Sequence, residues 1–404
     1  MLDDRTLEKY QQEAKAKNRE SWAFAWAMDV TDQERAKGKT EECGRAYFEY
    51  GSKRFVIIDA PGHKSFVPHM IGGAAQADVA VMVISARKGE FETGFEKGGQ
   101  TREHILLAKT AGVRQLIVAI NKMDDPTVEW SVERYQECID KFTPYLKQVG
   151  FNPDVVKFMP ISGLGGHNIR DKIAPGIFDY YKGPSLLETL DNLRAPKRLL
   201  DLPLRMPIVG GYKEGGAYIA VGKIEAGTAH VNGQYLVMPT KTLVRIEGIT
   251  VEQEDGITVA ETGDNVRLTL KNVSDERELA SGFVISDVVK PVKVTKQFLA
   301  KVSVMESKNI ICAGYSCIMH IHTLTVECRF GDLLAVEEKK SKKIVQKKPP
   351  FVRASEKHFV VIRMEVDVPI CIESFGDYAQ LGRFMLRDEG KTIGIGVVTK
   401  IKEE

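Results

Sequence analysis

Residues 55–66, FVIIDAPGHKSF, run from a short apolar strand pattern into an aspartate and then a tight turn carrying Gly62 and His63. A buried strand that stops at a carboxylate followed by glycine reads as half of a phosphate site. The carboxylate can hold a metal-bound water, and a glycine N–H can approach a phosphate with no side chain in the way. Working outward, apolar runs of strand length recur as VAVMVIS (79–85), LIVAIN (116–121) and VKFMPIS (156–162), with helical stretches between them. Each run is apolar at nearly every position, which predicts a parallel sheet covered by helices on both faces. Before the last run, Tyr135, Ile139, Phe142, Leu146 and Val149 recur at helical spacing, and Pro144 is expected to kink that helix.

After about residue 200 the grammar changes. Short alternating strands separated by Gly, Asn and Asp turns, such as DNVRLTLKN with Val266, Leu268 and Leu270 on one side, predict β-barrels. Pro203 and Pro207 flank this change, and VVKPVKVTK near 290 reads as a second boundary. The expected domains are therefore 1–200 (nucleotide-binding), 201–292 (β-barrel) and 293–404 (β-barrel, partner-binding). No internal repeat is evident.

The bulk numbers narrow the function classes. A chain of 404 residues with 43% hydrophobic and 28% charged residues is an ordinary globular composition, so disorder and fibrous folds are set aside. A net charge of +2 supplies no global field for nucleic acid, so DNA binding is not expected and any RNA contact must come from local patches. Six cysteines without a C-x-x-C pair fit a reduced, cytoplasmic protein. ADVAVMVISA (77–86) is too short to span a bilayer, so no membrane association is expected. The charged N-terminus lacks the apolar core of a secretory signal.

Three motifs fall at strand ends, where open α/β sheets bind ligands. Asp59-Ala60-Pro61-Gly62 ends the first strand, Asn121-Lys122-Met123-Asp124 the third and Ser162-Gly163-Leu164 the fourth. The Asp124 carboxylate can accept from both N1–H and the exocyclic amine of guanine, a donor pair that adenine lacks. A buried acceptor left unpaired by the wrong base is worth roughly 10⁴-fold in discrimination. The backbone of Ser162–Leu164 is placed to meet the base carbonyl. Each motif alone is a common turn or cap; together and in this order they predict a guanine-nucleotide site.

ERAKGKT (34–40), DAPGH (59–63), GQTREH (99–104), NKMD and SGL together resemble, in order, the motifs of the translational GTPases of the elongation factor 1-alpha type. The resemblance covers nearly the whole chain. Within the family ARKGEFETGFEKGGQTREH, AKTAGV, NKMDDPTVEWS and LGRFMLRDEGKTIGIG look most like the release-factor GTP-binding subunits, whereas an aminoacyl-tRNA carrier typically differs in FEKGG and RDEGKT. The resemblance implies a P-loop-type α/β GTPase domain followed by two all-β barrels, GTP/GDP and Mg²⁺ as ligands, and hydrolysis of GTP on the ribosome. It implies that Thr40 ligates the metal, that Asp59 holds it through water, and that Gly62 senses the γ-phosphate. It also implies that His63 orients the attacking water and that Asn121, Lys122, Asp124, Ser162, Gly163 and Leu164 hold the base. The implied partner of a monomeric chain is a class-I release factor, bound as a heterodimer through Arg383, Phe384, Arg387 and Asp388. A ribosome-rescue or elongation-type GTPase and a GTPase-dead ribosome adaptor are the alternatives.

One part is not found. The phosphate cradle should read G-x-x-x-x-G-K-[ST]. GKT occurs at 38–40 and 390–392, but Gln33 and Met385 stand where its first glycine should be. In the family that unit lies just before the helix that starts here near Leu2, so the domain is expected to lack its first strand and P-loop. The expectation is that the natural protein carries the loop upstream, and that these 404 residues alone bind GTP feebly. Three features are read as structural: HIH (320–322), near Cys317 and Cys328, as a polar barrel face rather than a metal site, the lysines of 339–348 as a solvated linker, and Trp22 and Trp26 as packed or switch-region residues.

Overall fold

The computed structural model describes residues 4–16, 26, 28, 34, 40, 43–63, 66–96, 99–113, 115–194, 198–251, 254–305, 310–355 and 357–402. Trp22 and residues 35–39 of the ERAKGKT stretch lie outside them. The chain divides into two compact units, the first Met1–Lys109 with Val113–Pro196, the second Lys197–Glu404 with Thr110–Gly112.

In the first unit β1 (Gly44–Tyr50) and β2 (Lys53–Asp59) form an antiparallel hairpin in which Gly44 lies opposite Asp59. Its turn needs a left-handed residue, and Gly51 supplies it at φ 61°. β3 (Val79–Ser85), β4 (Gln115–Asn121) and β5 (Lys157–Pro160) form a parallel sheet in that order. The helices are α1 (Asp4–Ala16), α2 (Val67–Gln76), α3 (Glu90–Phe95), α4 (Gln100–Ala111), α5 (Val132–Val149) and α6 (Leu186–Asp191). Five consecutive residues of β4, Leu116–Ile120, are buried, as a strand covered on both faces requires. The even apolar composition of the other strands predicts the same cover for them, and here the structure differs. Among the described residues β2 and β3 do not pair, so the sheet stands in two pieces. Val83 of β3 is 56% exposed and Ile57 of β2 45%.

Helix α5 starts at Ser131, whose side chain accepts from the Arg134 N–H, and ends at Gly150 in the left-handed region. It runs as one element through Pro144, with Tyr135, Phe142 and Leu146 in the core. Trp26 is buried against Tyr10 and Ala14, so it is a packing residue.

In the second unit β6 (Arg205–Glu214), β7 (Ala217–Lys223), β8 (Thr228–His230), β9 (Gln234–Met238), β10 (Thr242–Val251), β11 (Val259–Glu261), β12 (Asn265–Lys271) and β13 (Val284–Ser286) build the first barrel. Its closed ring runs β10-β12-β7-β6-β13-β9. Val266, Leu268 and Leu270 all point into its core, as their alternation predicts. A second barrel follows: β14 (Lys293–Val304), β15 (Ile311–Cys312), β16 (Ser316–Ile321), β17 (Leu324–Glu338), β18 (Ile344–Lys347), β19 (Phe351–Val352), β20 (His358–Ile372), β21 (Arg383–Asp388) and β22 (Lys391–Ile401). Pairing of β16 with β17 closes the ring β16-β21-β22-β14-β20-β17, and β18 adds to β17 from outside. The lysine segment is therefore not a linker but the arm of a hairpin. His320 and His322 are both held as neutral imidazoles, since burial lowers each pKa to about 4. Cys317 and Cys328 face each other, and no metal-ligating cluster occurs among the described residues.

The two barrels are joined by a buried ion pair. Arg205 of β6 donates from Nε to Glu373 Oε1 at 2.8 Å, and its remaining N–H groups reach the carbonyls of Leu204, Lys290 and Pro291. The guanidinium lies 4.8 Å over the Tyr378 ring. Burial raises the Glu373 pKa above its ordinary value of 4.5 despite the arginine. Removing one partner leaves a buried charge, so Arg205→Ala should cost about 3–5 kcal/mol in urea melts, while Arg205→Met with Glu373→Leu should regain most of it. A raised folded pKa means that the protonated carboxyl is the one the fold prefers. The Arg205→Ala deficit should accordingly be largest at neutral pH and shrink as pH falls toward the ordinary glutamate value.

Candidate functional site

The base-side motifs meet at the end of β4. Asn121 Oδ1 accepts from the Lys122 N–H at 2.8 Å and from the Gly163 N–H at 2.8 Å, tying the loop after β4 to the loop after β5. A Cβ at Gly163 would stand 3.3 Å from the Asn121 amide, a tight contact that would press on the tie. Lys122 is held at φ 62°, a left-handed conformation that costs a non-glycine residue about 1–2 kcal/mol. Beneath it Met123 is fully buried, its N–H on Ile161 O and its carbonyl taking the Trp130 N–H. Buried Met123 between exposed Lys122 and exposed Asp124 makes the loop a rigid pedestal whose acid faces outward.

The loop after β5 is equally fixed. Ser162 is buried and its Oγ accepts from the Gly165 N–H at 3.0 Å. Asn168, in the left-handed region, donates to Pro160 O at 2.9 Å. Leu164 is left 67% exposed at the loop tip. Two exposed groups, Asp124 and the Gly163–Leu164 backbone, are thus presented from neighbouring strands by buried supports.

Sequence reasoning missed the acids that position Lys122. Its Nζ donates to Glu90 Oε2 at 2.8 Å, and Glu90 also accepts from Ser85 Oγ and Arg87 Nη1. The Lys122 bond first, then Ser85, holds the Glu90 carboxyl below its ordinary pKa. Arg87 Nε also meets Asp125 Oδ2 at 3.0 Å. Buried Arg134 fixes this shelf from below, donating to Ala86 O at 2.7 Å and pairing with Glu92 at 2.9 Å. Burial pushes the Glu92 carboxyl up, but the Arg134 bond and backbone N–H groups outweigh it and hold its pKa at about 2. Glu90 and Glu92 sit in GEFETGF (89–95), yet nothing in that spacing marks them as partners of residues 122 and 134.

The phosphate-side residues stand at the end of the separate hairpin. Asp59 closes β2, Pro61 is buried, and Gly62 is exposed; among the described residues only His104 Cε1, at 3.9 Å, comes within 4 Å of where a Cβ would lie. Burial lowers the His104 pKa while a bond with the Gly62 backbone opposes it, so α4 props the glycine turn with a neutral imidazole. His63 is half-buried, its carbonyl accepting from the Phe66 N–H at 2.9 Å and its ring 6.1 Å from that of Phe66. Thr40 is half-buried. The structure therefore brings Asn121, Lys122, Asp124, Ser162, Gly163 and Leu164 into one constellation, and Asp59, Gly62 and His63 into another.

Of the partner-face residues, Phe384 is 1% exposed and packs edge-on against Phe298 in the barrel core. Arg387 is also buried, donating to Gly390 O at 2.6 Å and to Thr392 Oγ1 at 3.2 Å across the hairpin turn. Arg383 lies 5.2 Å over the Phe375 ring, and Asp388 accepts from the Tyr315 hydroxyl.

The family model for the elongation factor Tu GTP-binding domain matches residues 2–196, and that for the GTP-eEF1A C-terminal domain matches 297–399. A eukaryotic peptide chain release factor GTP-binding subunit from Kluyveromyces lactis is 48% identical over all of this chain and 57% of its own length. The chain thus spans a little over half the length of the curated relatives it matches. A crystal structure of sup35 complexed with GDP is 39% identical, covering 100% of this chain and 88% of the other, with a TM-score of 0.48. The GTPase-like domain of S. cerevisiae Ski7, bound to GDP and inorganic phosphate, shares the fold at 15% identity, with a TM-score of 0.77 over 98% of this chain and 91% of the other. On the two matched domains, the chain belongs to the translational GTPases of the elongation factor 1-alpha type, and over its whole length it is similar to the GTP-binding subunits of eukaryotic release factors.

Proposed function

We propose that the protein binds guanine nucleotide and works in translation termination, coupling GTP hydrolysis on the ribosome to a class-I release factor in the cytoplasm. The observation that supports the reading is the Asn121 tie, which joins the loop carrying exposed Asp124 to the loop carrying Gly163. Asp124 accepts from the two guanine donors, the Ser162–Leu164 backbone meets the base carbonyl, and the Lys122 stem lies along the ring, steered by Glu90.

Thr40 would hold Mg²⁺ directly through its hydroxyl and Asp59 through a bound water, hard oxygen donors that suit an ion keeping several waters. When bound, that ion neutralises charge between the outer phosphates. Gly62, propped by His104, offers its N–H to the terminal phosphate, and His63 positions a water. Positioning and fixed dipoles suffice for such a reaction.

The partner face of this reading is β21 and its turn. Arg383 and Asp388 would touch a class-I release factor, whereas Phe384 and Arg387 would act by fixing the shape of the turn.

Two measurements test these readings. In fluorescent-nucleotide titrations the unaltered chain should prefer GDP to ADP, and Asp124→Ala should bring the two within about tenfold by removing the acceptor that sets a roughly 10⁴-fold preference. Equal affinities before substitution would overturn the base assignment. In co-precipitation with a class-I release factor, Arg383→Ala should reduce capture with an unchanged melting temperature, while Arg387→Ala should lower both, because it leaves the Gly390 carbonyl without its buried donor.

A further inference from the structure

From the end of β17 the chain runs out as a ribbon and returns to Arg353. Residues 337–353 hold two glutamates, six lysines and one arginine, a formal charge of +5 in a chain whose total is +2, so the rest is net acidic at −3. The two acids do not neutralise this charge. Glu337 is taken by Lys301 at 2.6 Å, and Glu338 accepts from Ser341 Oγ at 2.6 Å. Lys339 roots the ribbon, donating to Ser303 Oγ at 2.7 Å and lying 5.0 Å from the Phe359 ring. Lys340, Lys342, Lys343, Lys347 and Lys348 are exposed, and none has an ion-pair partner among the described residues.

The outer strand of the ribbon, β18, contributes little to the fold. All four residues of β18 are exposed, Val345 at 61%, and the strand is held to β17 by pairs such as Ala335 with Lys347 and Val336 with Gln346. A strand with nothing buried gains no hydrophobic stability, so its apolar Ile344 and Val345 and nearby exposed Phe351 are not core residues. Two of its lysines stand where glycine would be cheaper: Lys342 at φ 56° and Lys348 at φ 43°. Long cations are thus carried at strained positions, on a surface that the core does not need.

We infer that this ribbon is a binding arm for the phosphodiester backbone of RNA. Four residues at a strand rise of about 3.3 Å separate Lys343 from Lys347 by about 13 Å, so the pairs 342–343 and 347–348 form two cationic ends. Such a spread matches an extended polyanion, and one carboxylate cannot span it. Arg353, 5.6 Å over the exposed Phe351 ring, adds a further cation where the ribbon returns. Binding of this kind reads charge and shape, not sequence. It stands apart from the termination reading, since its test needs neither nucleotide nor release factor.

The test is an anisotropy titration of the full chain against a short fluorescein-labelled RNA duplex between about 50 and 200 mM salt. Replacing lysines 340, 342, 343, 347 and 348 by Ala should weaken binding at least about tenfold and flatten the log–log salt slope by about 0.9 for each phosphate left unneutralised. Replacing the same five by Arg should preserve binding. A charge-matched control removing five exposed lysines elsewhere (147, 157, 182, 213 and 400) should leave it nearly unchanged. Lys342→Gly with Lys348→Gly relieves the positive φ, so it should weaken RNA binding while raising the melting temperature; that separates binding from folding. Unchanged affinity in the ribbon variants, or an equal weakening in the control, would overturn the inference. Displacement of the RNA by polyglutamate at matched charge would also overturn it, in favour of an acidic protein partner.

Discussion

A single side-chain oxygen organises the nucleotide side of the molecule. Asn121 Oδ1 takes two backbone N–H groups, one from its own loop and one from a loop 42 residues on, so one acceptor sets the spacing of two strand ends. This works because β4 beneath it is buried from Leu116 to Ile120 and has nowhere to shift. The strained Lys122 backbone and the buried Met123 follow from the same tie: the chain must reverse sharply to return the Asn121 carbonyl to Ala86 and still aim Asp124 outward.

Around that tie the charges form a graded shelf. Arg134 is buried and neutralised by Glu92 and Glu137, Glu90 stands between Arg87 and Lys122, and Asp125 faces Arg87. Most of these pairs are solvent-exposed and each contributes little to stability. Their value lies in direction. A lysine stem held by Glu90 is pre-aligned, so less side-chain freedom is lost when a flat ring settles against it.

The strands of the first unit and the alternation of the barrels were legible because apolar period follows burial directly, as at Val266, Leu268 and Leu270. The three strand-end motifs were legible because tight turns demand particular residues at fixed spacing. Burial of β2 and β3 was misread, since composition says which residues prefer to be covered and not what covers them; among the described residues Ile57 and Val83 stay exposed. Glu90 and His104 escaped because their partners, Lys122 and the Gly62 backbone, are distant in sequence and no local period encodes the pairing. The lysine run was misread for a similar reason. Its charge suggested solvent, and only the register with β17 shows that it is a strand.

The open side of β3 has a practical corollary. Val81 and Val83 flank a backbone edge that no strand covers among the described residues. Uncovered edges of this kind template pairing with other chains, and β-branched side chains strengthen the match. Among the described residues this rim is therefore a place where strand pairing is open, and a net charge of +2 does little to oppose it.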